Sequence, residues 1–382
     1  MRSGFVSILG RPNAGKSTLL NALVGEKVAI VTSKPQTTRN RITGVVEVPA
    51  VKGRRPAAQI VFVDTPGVHK PGTQLDRRMM QEVYDALETR DIVILLVDAS
   101  REVQLDEEPA GPADPAEPTA GPTAEPATEP APQPTPPKAD WRSEDEFIFG
   151  LIQKLDCPVF LVVNKIDLIR REQLLPLIAR LMKRFPFAEV FPISARKKDG
   201  LERLVEKLVE TLPEGQRYFP PEQYTDQPER FLVAELIRER ILMETGEEVP
   251  YAAAVVIERF EEPAAHEPKK TPKKPRMLKG GVEAPATLPV THIGAVIYCE
   301  REGQKAILIG HGGVKLKAIW TSARKEIESL LGTRVYLELH VIVEPGWRES
   351  KSFVERLDWR NQLERLAGEQ ITEEPPGGET LK

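Results

Sequence analysis

The chain has 382 residues, of which 40% are apolar, a length that predicts two domains of ordinary size, each burying its own core. A formal charge of −4 and a pI near 5.9 exclude a uniformly basic nucleic-acid coat, so any RNA affinity has to come from a local patch. Cys157 and Cys299 stand far apart in strand-like apolar runs, which excludes a disulfide framework and reads as two small buried hydrophobes in a reducing cytosol.

The first ten residues run straight into a strand and a glycine-rich loop, so no secretion signal is expected. No apolar stretch approaches the roughly 20 residues that a membrane-crossing helix needs. From residue 1 to about 215, apolar runs at Phe5–Leu9, Ile60–Val63, Ile92–Val97, Val159–Val163 and Val190–Ile193 predict strands. Helical patterns such as Lys16–Leu23 and Leu201–Leu212 lie between them. Unbroken apolar strands alternating with helices predict an α/β fold with a mostly parallel sheet, whose functional loops lie at the carboxyl ends of the strands.

The first such loop is Gly10-Arg11-Pro12-Asn13-Ala14-Gly15-Lys16-Ser17, continued by Thr18, with a strand before it and a helix after it. This is the phosphate-loop pattern: the glycines let backbone N–H groups turn toward phosphate oxygens, and the helix start adds its positive end. Lys16 is expected at the β and γ phosphates, and the Ser17 hydroxyl on Mg2+. The run ending in Asp64-Thr65-Pro66-Gly67 predicts a second metal-side group, Asp64, with the Gly67 N–H facing the γ-phosphate.

Between Glu102 and Asp140 the pattern gives way to Pro, Ala, Glu, Thr and Gly. An acidic, extended, disordered insertion is expected at about 103–140, either a tolerated loop expansion or a partner-docking segment. Next, Asn164-Lys165-Ile166-Asp167 closes a strand. The Asp167 carboxylate suits the two N–H groups on the guanine edge, where adenine would present an acceptor. Asn164 and Lys165 are expected to brace the loop and cover the base. Ser194-Ala195-Arg196 closes the same side, with the Ala195 N–H directed to the guanine carbonyl oxygen.

Residues 216–228 are proline-rich and read as an interdomain linker. From about 229 to 350 a small α+β domain is predicted, with a helix at Phe231–Met243, strands at Ala252–Phe260, Thr291–Cys299 and Arg334–Val343, and a helix at Leu316–Leu330. A basic insertion at about 261–289 carries Lys269, Lys270, Lys273, Lys274, Arg276 and Lys279, either a solvated loop or a phosphate-gripping arm. Gly310-His311-Gly312-Gly313 is the Gly-x-x-Gly loop of a KH domain, which lets a single-stranded RNA backbone come close, with Lys315 and Lys317 adding charge. His311 reads as a polar loop residue. Residues 351–382 are expected to form a last helix, Ser352–Leu366, and a tail.

The order of these motifs resembles the translation-factor-related GTPases, and Ser33-Lys34-Pro35-Gln36-Thr37-Thr38-Arg39 narrows the likeness to the bacterial Era family, a P-loop GTPase domain followed by a type II KH domain. Ser322-Ala323-Arg324-Lys325 and Pro345-Gly346-Trp347 resemble that family's C-terminal domain. The resemblance covers nearly the whole chain apart from the two insertions. It implies that residues 32–39 form the first mobile switch, with Thr38 on Mg2+ and Thr37 as the fallback. It also implies GTP and GDP as ligands, binding near the 3′ end of 16S rRNA, and a part in small ribosomal subunit maturation. A cytoplasmic monomer is expected, with the family's link to the inner membrane face unsupported by any basic amphipathic helix. Where many GTPases carry a water-orienting glutamine this chain has Val68, so slow intrinsic turnover is expected. Asn13 is a candidate for recruiting K+ in place of an arginine finger, and Arg39 or Arg41 are alternative sources of charge. A competing reading is an RNA chaperone whose nucleotide pocket is structural; the intact Lys16, Ser17, Asp64 and Asp167 speak against it.

Overall fold

A computed structural model of the chain describes residues 1–53, 55–68, 71–107, 141–246, 249–263 and 289–364. Residues 108–140 of the acidic insertion, the six basic residues named between 261 and 289, and the tail from 365 onward lie outside the described residues.

Strands β1 (Arg2–Gly10), β2 (Ile42–Val48), β3 (Ala58–Asp64), β4 (Ile92–Asp98), β5 (Val159–Asn164) and β6 (Glu189–Pro192) form one sheet in the order β2-β3-β1-β4-β5-β6. Every pairing is parallel except β2 with β3. The strands are apolar on both faces because both are covered. In β4, Ile92, Ile94 and Leu96 join the core under α1 (Lys16–Val24) and α6 (Leu201–Thr211), whereas Val93 and Leu95 join the core under α2 (Gln74–Glu88), α4 (Trp141–Ile152) and α5 (Arg171–Met182). Register pairs Ile8 with Asp64 and Asp98 with Asn164, so the loop-bearing ends of the central strands come level.

β2 was not among the predicted strands, being interrupted by Gly44 and preceded by the threonine-rich loop. Glu102 was expected at the start of the disordered stretch; it instead sits inside α3 (Ala99–Glu107), buried, with its carboxylate 2.8 Å from Arg180. Helix periodicity is hidden there because its last turn is already acidic. Cys157 lies half-buried in the loop ahead of β5 rather than within a strand, while Cys299 ends a strand of the second domain and is buried. The proline-rich segment 216–228 is strapped along the edge strand: Val45 N donates to Tyr224 O at 2.9 Å, and Thr225 Oγ1 donates to Thr43 O at 2.8 Å.

The second domain runs α7 (Glu229–Glu244), a short α8 (Val249–Ala252), β7 (Ala254–Glu261), β8 (Val290–Cys299), α9 (Glu302–Ile309), α10 (Val314–Leu331), β9 (Arg334–Val343) and α11 (Lys351–Arg356). Its sheet has the order β7-β8-β9, with β7 antiparallel and β9 parallel to β8. α7 and α10 pack on one face through Val233, Ile237, Ile241, Ile319, Ala323 and Ile327. On the other face Trp347, fully buried, donates from Nε1 to Ala252 O at 2.9 Å and packs with Phe353 of α11. The predicted final helix is broken at Leu357 and Asp358 and resumes over 359–364. Among the described residues, no helix is long and apolar enough to cross a membrane.

Candidate functional site

The C-terminal end of β1, the loop 10–15 and the start of α1 open a cleft of about 330 Å3 lined by Asn13, Gly15, Lys16, Ser17, Thr18, segment 30–33, Gln36 to Thr38, Gly67 and Lys165. Gly15 has φ +98, and a Cβ there would come within 2.4 Å of the Asn164 amide nitrogen, so only glycine lets the turn close against β5. Lys16 is buried and donates to the carbonyls of Gly10 and Arg11 at 3.1 and 2.9 Å. Burial lowers its pKa to about 8, partly opposed by the nearby Asp64 charge. The ammonium group thus stands inside the loop, donating to backbone oxygens and near the Asp64 carboxylate.

On the metal side, Ser17 Oγ donates to Asp64 Oδ2 at 2.6 Å and lies 2.8 Å from Thr38 Oγ1. Three residues separated by up to 47 positions in sequence therefore converge on one point. Asp64 is fully buried, and burial raises its pKa to about 6 against the opposing Lys16 charge and the Ser17 hydrogen bond. Its Oδ1 has no hydrogen-bond partner. Two hydroxyl oxygens and a carboxylate with an orphaned buried oxygen suit a small hard cation that keeps several waters, as Mg2+ does. Thr37 is turned the other way, its hydroxyl 2.7 Å from Thr32 Oγ1 and 2.6 Å from Lys34 O, so Thr38 is the threonine facing Ser17. Gly67 lies against Pro12, where a Cβ would approach the ring within 2.7 Å. Val68 is fully buried in the hydrophobic core, its N–H bonded to Gly10 O, so its side chain does not reach the cleft.

At the base end, Asn164 is buried between two loops, donating to Ala14 O at 2.9 Å and accepting from Ala195 N at 3.0 Å. The Ala195 N–H, expected to face guanine, is thus engaged by Asn164 in this arrangement. Lys165 Nζ bridges Asn13 O at 2.8 Å and Asp98 Oδ2 at 2.6 Å. Asp98 was missed by the sequence reading, although its position at the carboxyl end of β4, level with Asn164, is a usable signal. Asp167 sits at the rim, 3.7 Å from Lys197 Nζ, and its carboxyl is held below the usual range first by the Ser194 hydroxyl. Arg196 is exposed beside it.

Arg39 and Arg41 do not face the cleft. Arg39 is buried in the second domain, donating from Nη1 to Ala253 O at 2.7 Å and lying 5.7 Å from the centre of the Trp347 ring. Arg41 lies 3.6 Å from Glu82 of α2. The segment around Thr38 is in fact held by α7 and its surroundings at four points. Val31 N donates to Glu239 Oε1 at 3.0 Å, Lys34 Nζ donates to Gly246 O at 2.6 Å, Arg238 donates to Thr37 O, and Arg39 reaches Ala253 O. Helix α2 is held as well, through Arg78 with Asp358 at 2.8 Å and Glu82 with Arg360 at 3.0 Å. These contacts were absent from the sequence reading.

The Gly-x-x-Gly loop lies between α9 and α10, with Gly312 at φ +58 and Gly313 at φ +79 and open space where their side chains would stand. His311 and Lys317 are exposed and Lys315 half-exposed. Backbone without side chains, flanked by lysines, permits close approach of a sugar–phosphate chain.

A family model described as 50S ribosome-binding GTPase matches residues 5–118, and one described as KH domain matches residues 284–348. The chain is 40% identical over 364 residues to the GTPase Era of Heliobacterium modesticaldum, covering 95% of this chain and 99% of the relative. It is 39% identical over 358 residues to the GTPase Era of Geobacter metallireducens, covering 94% and 98%. Among solved structures it is similar to a tyrosine-to-alanine variant of Aquifex aeolicus Era bound to GDP and AlF4−, with TM-score 0.72, 34% identity and coverage of 94% and 98%. A structure of Era in complex with MgGDPNP and nucleotides 1506–1542 of 16S ribosomal RNA gives TM-score 0.72, 35% identity and the same coverage, 94% and 98%.

Proposed function

The chain belongs to the Era family of GTPases, and on that premise we propose that it is a GTP-operated switch whose KH domain grips single-stranded RNA near the 3′ end of 16S rRNA during small-subunit assembly. As a GTPase of this family it takes GTP and GDP with Mg2+, and we assign the metal to Ser17, Thr38 and Asp64, the phosphates to Lys16, the loop 10–18 and Gly67, and the base to Asn164, Lys165, Asp167 and the 194–196 loop. RNA is assigned to Gly310–Gly313, Lys315 and Lys317. The single observation that carries the switch reading is that both neighbours of Thr38 are bonded to the RNA-binding domain, Thr37 through its carbonyl and Arg39 through its side chain. Thr38 would be held by a metal and the γ-phosphate, and a shift of Thr38 on loss of the phosphate would pass through these two bonds to Arg238 of α7 and to Ala253.

With Val68 buried, hydrolysis draws on another source of positive charge. Support for K+ comes from Asn13, whose Nδ2 donates to Ser33 O at 2.8 Å across the cleft, so that Oδ1 is the side chain's remaining acceptor. Turnover is then faster in K+ than in Na+ at equal ionic strength. Affinity for an RNA oligonucleotide spanning 1506–1542 should be higher for the GDPNP-loaded than for the GDP-loaded chain. Equal affinities in the two states remove the switch, and absence of GTP turnover in the presence of RNA leaves the RNA-chaperone reading.

A further inference from the structure

Away from the nucleotide cleft, a cavity of about 50 Å3 lies where segment 39–40, α2, α7, β7 and the C-terminal helix meet. Its wall carries Arg39, Arg78, Arg230 and Arg238, whereas Glu235 is the one carboxylate among the described lining residues. That carboxylate is already occupied, accepting from Arg238 at 2.7 and 2.5 Å. Arg78 is met by Asp358 and Glu82. Arg230 donates to the backbone carbonyls of Ile257 and Glu258, and burial pushes its pKa down with no acidic neighbour opposing the shift. The wall therefore carries net positive charge, consistent with the fall of Arg39 to about 9, caused by burial first and by Arg238 next.

Arg230 Nε, Arg238 Nη1 and Trp359 Nε1, all on residues of the lining, are buried donors with no acceptor. Arg238 is only 3% exposed. Orphaned buried donors cost about 1–3 kcal/mol each and in native proteins point to a bound water or ion. The space, about 50 Å3, is several times the ~10–15 Å3 that a single water needs. Waters alone would bring hydrogens that need acceptors, in a wall where the carboxylate is taken. A tetrahedral oxyanion brings four acceptor oxygens and offsets the guanidinium charge, and arginine forks match its geometry.

We propose that this interdomain cavity binds a tetrahedral oxyanion of the phosphate class, held by Arg230, Arg238 and Trp359. The inference rests on this wall alone and is independent of the nucleotide assignment. Because the wall is shared between both domains, occupancy favours the docked arrangement by mass action. Orthophosphate, the second product of GTP hydrolysis, has the required chemistry.

The test uses the full chain loaded with Mg2+ and GDPNP, so that the γ-phosphate position is already filled. Inorganic phosphate is titrated by calorimetry and 31P NMR, with NaCl at matched ionic strength as the control. Saturable binding of one phosphate per chain is expected, weakened about tenfold or more in Arg230→Gln. Trp359→Phe, which keeps the ring contact with Phe231 and removes only the N–H donor, should weaken binding by a smaller factor of about three or more. No saturable binding, an equal response to chloride, or affinities unchanged in both variants would overturn the proposal.

Discussion

Replacing Asn164 by alanine tests how the phosphate loop and the base loop are held together. The side chain is 2% exposed and makes two bonds, to Ala14 O at 2.9 Å and from Ala195 N at 3.0 Å. Alanine leaves a carbonyl and an N–H buried without partners, at about 1–3 kcal/mol each. Without Asn164 the two loops part in the nucleotide-free chain and water reaches both groups; GDP closes them again, when the Ala195 N–H regains an acceptor from guanine and Ala14 O does not, so the cost charged to binding is about 1–3 kcal/mol. GDP affinity then falls by about 5- to 150-fold. Stopped-flow release of a fluorescent GDP analogue measures this directly, and urea unfolding of the nucleotide-free chain separates the loss of binding from a loss of folding. Asn164→Asp keeps the acceptor for Ala195 but sets a negative charge against Ala14 O, so it must bind GDP no better than the alanine variant. GDP affinity within threefold of the parent for Asn164→Ala would refute the reasoning.

Asp64, raised by burial to about 6, holds a proton that competes with Mg2+. Apparent Mg2+ affinity should be constant above pH 7 and fall about tenfold by pH 5, after the pH dependence of Mg2+ binding to free nucleotide is divided out; a flat profile contradicts the buried carboxylate. Since the folded pKa lies above the unfolded one, the metal-free chain also loses stability as pH rises from about 4 to 6, an effect absent in Asp64→Asn. Asp167→Asn exchanges a double acceptor for a mixed donor and acceptor, so GDP affinity drops at least about a hundredfold while xanthosine diphosphate binding is gained, as read by nucleotide competition. Trp347→Phe orphans Ala252 O in a fully buried site and should lower the unfolding free energy by about 1–3 kcal/mol in urea titrations.

The parallel sheet was legible because β1, β3, β4 and β5 are apolar on both faces, a pattern that survives without knowledge of what covers them. So were the residues that meet in the cleft, since a phosphate loop, Asp64 and Asn164 each end a recognisable strand. Less visible was what depends on the other domain. Glu235, Arg238 and Glu239 of α7 are charged yet buried, because that face of the helix is covered by the first domain. The same blindness hid the destination of Arg39, whose partners lie more than 200 positions away. α9 escaped because its run of Ala306, Ile307, Leu308 and Ile309 is too short to display a helical period.

The strap at Tyr224 and Thr225 bears on how the chain tolerates being cut. β2 is an edge strand of seven residues, Ile-Thr-Gly-Val-Val-Glu-Val, and the strap occupies hydrogen-bonding groups on its outer side. Exposed apolar edges recruit further strands from other copies, and proteins commonly cover them. A fragment ending at residue 215 would leave this edge bare and prone to self-association, whereas one extended to residue 228 keeps its cover. The tether between the domains thus doubles as a guard against edge-to-edge aggregation.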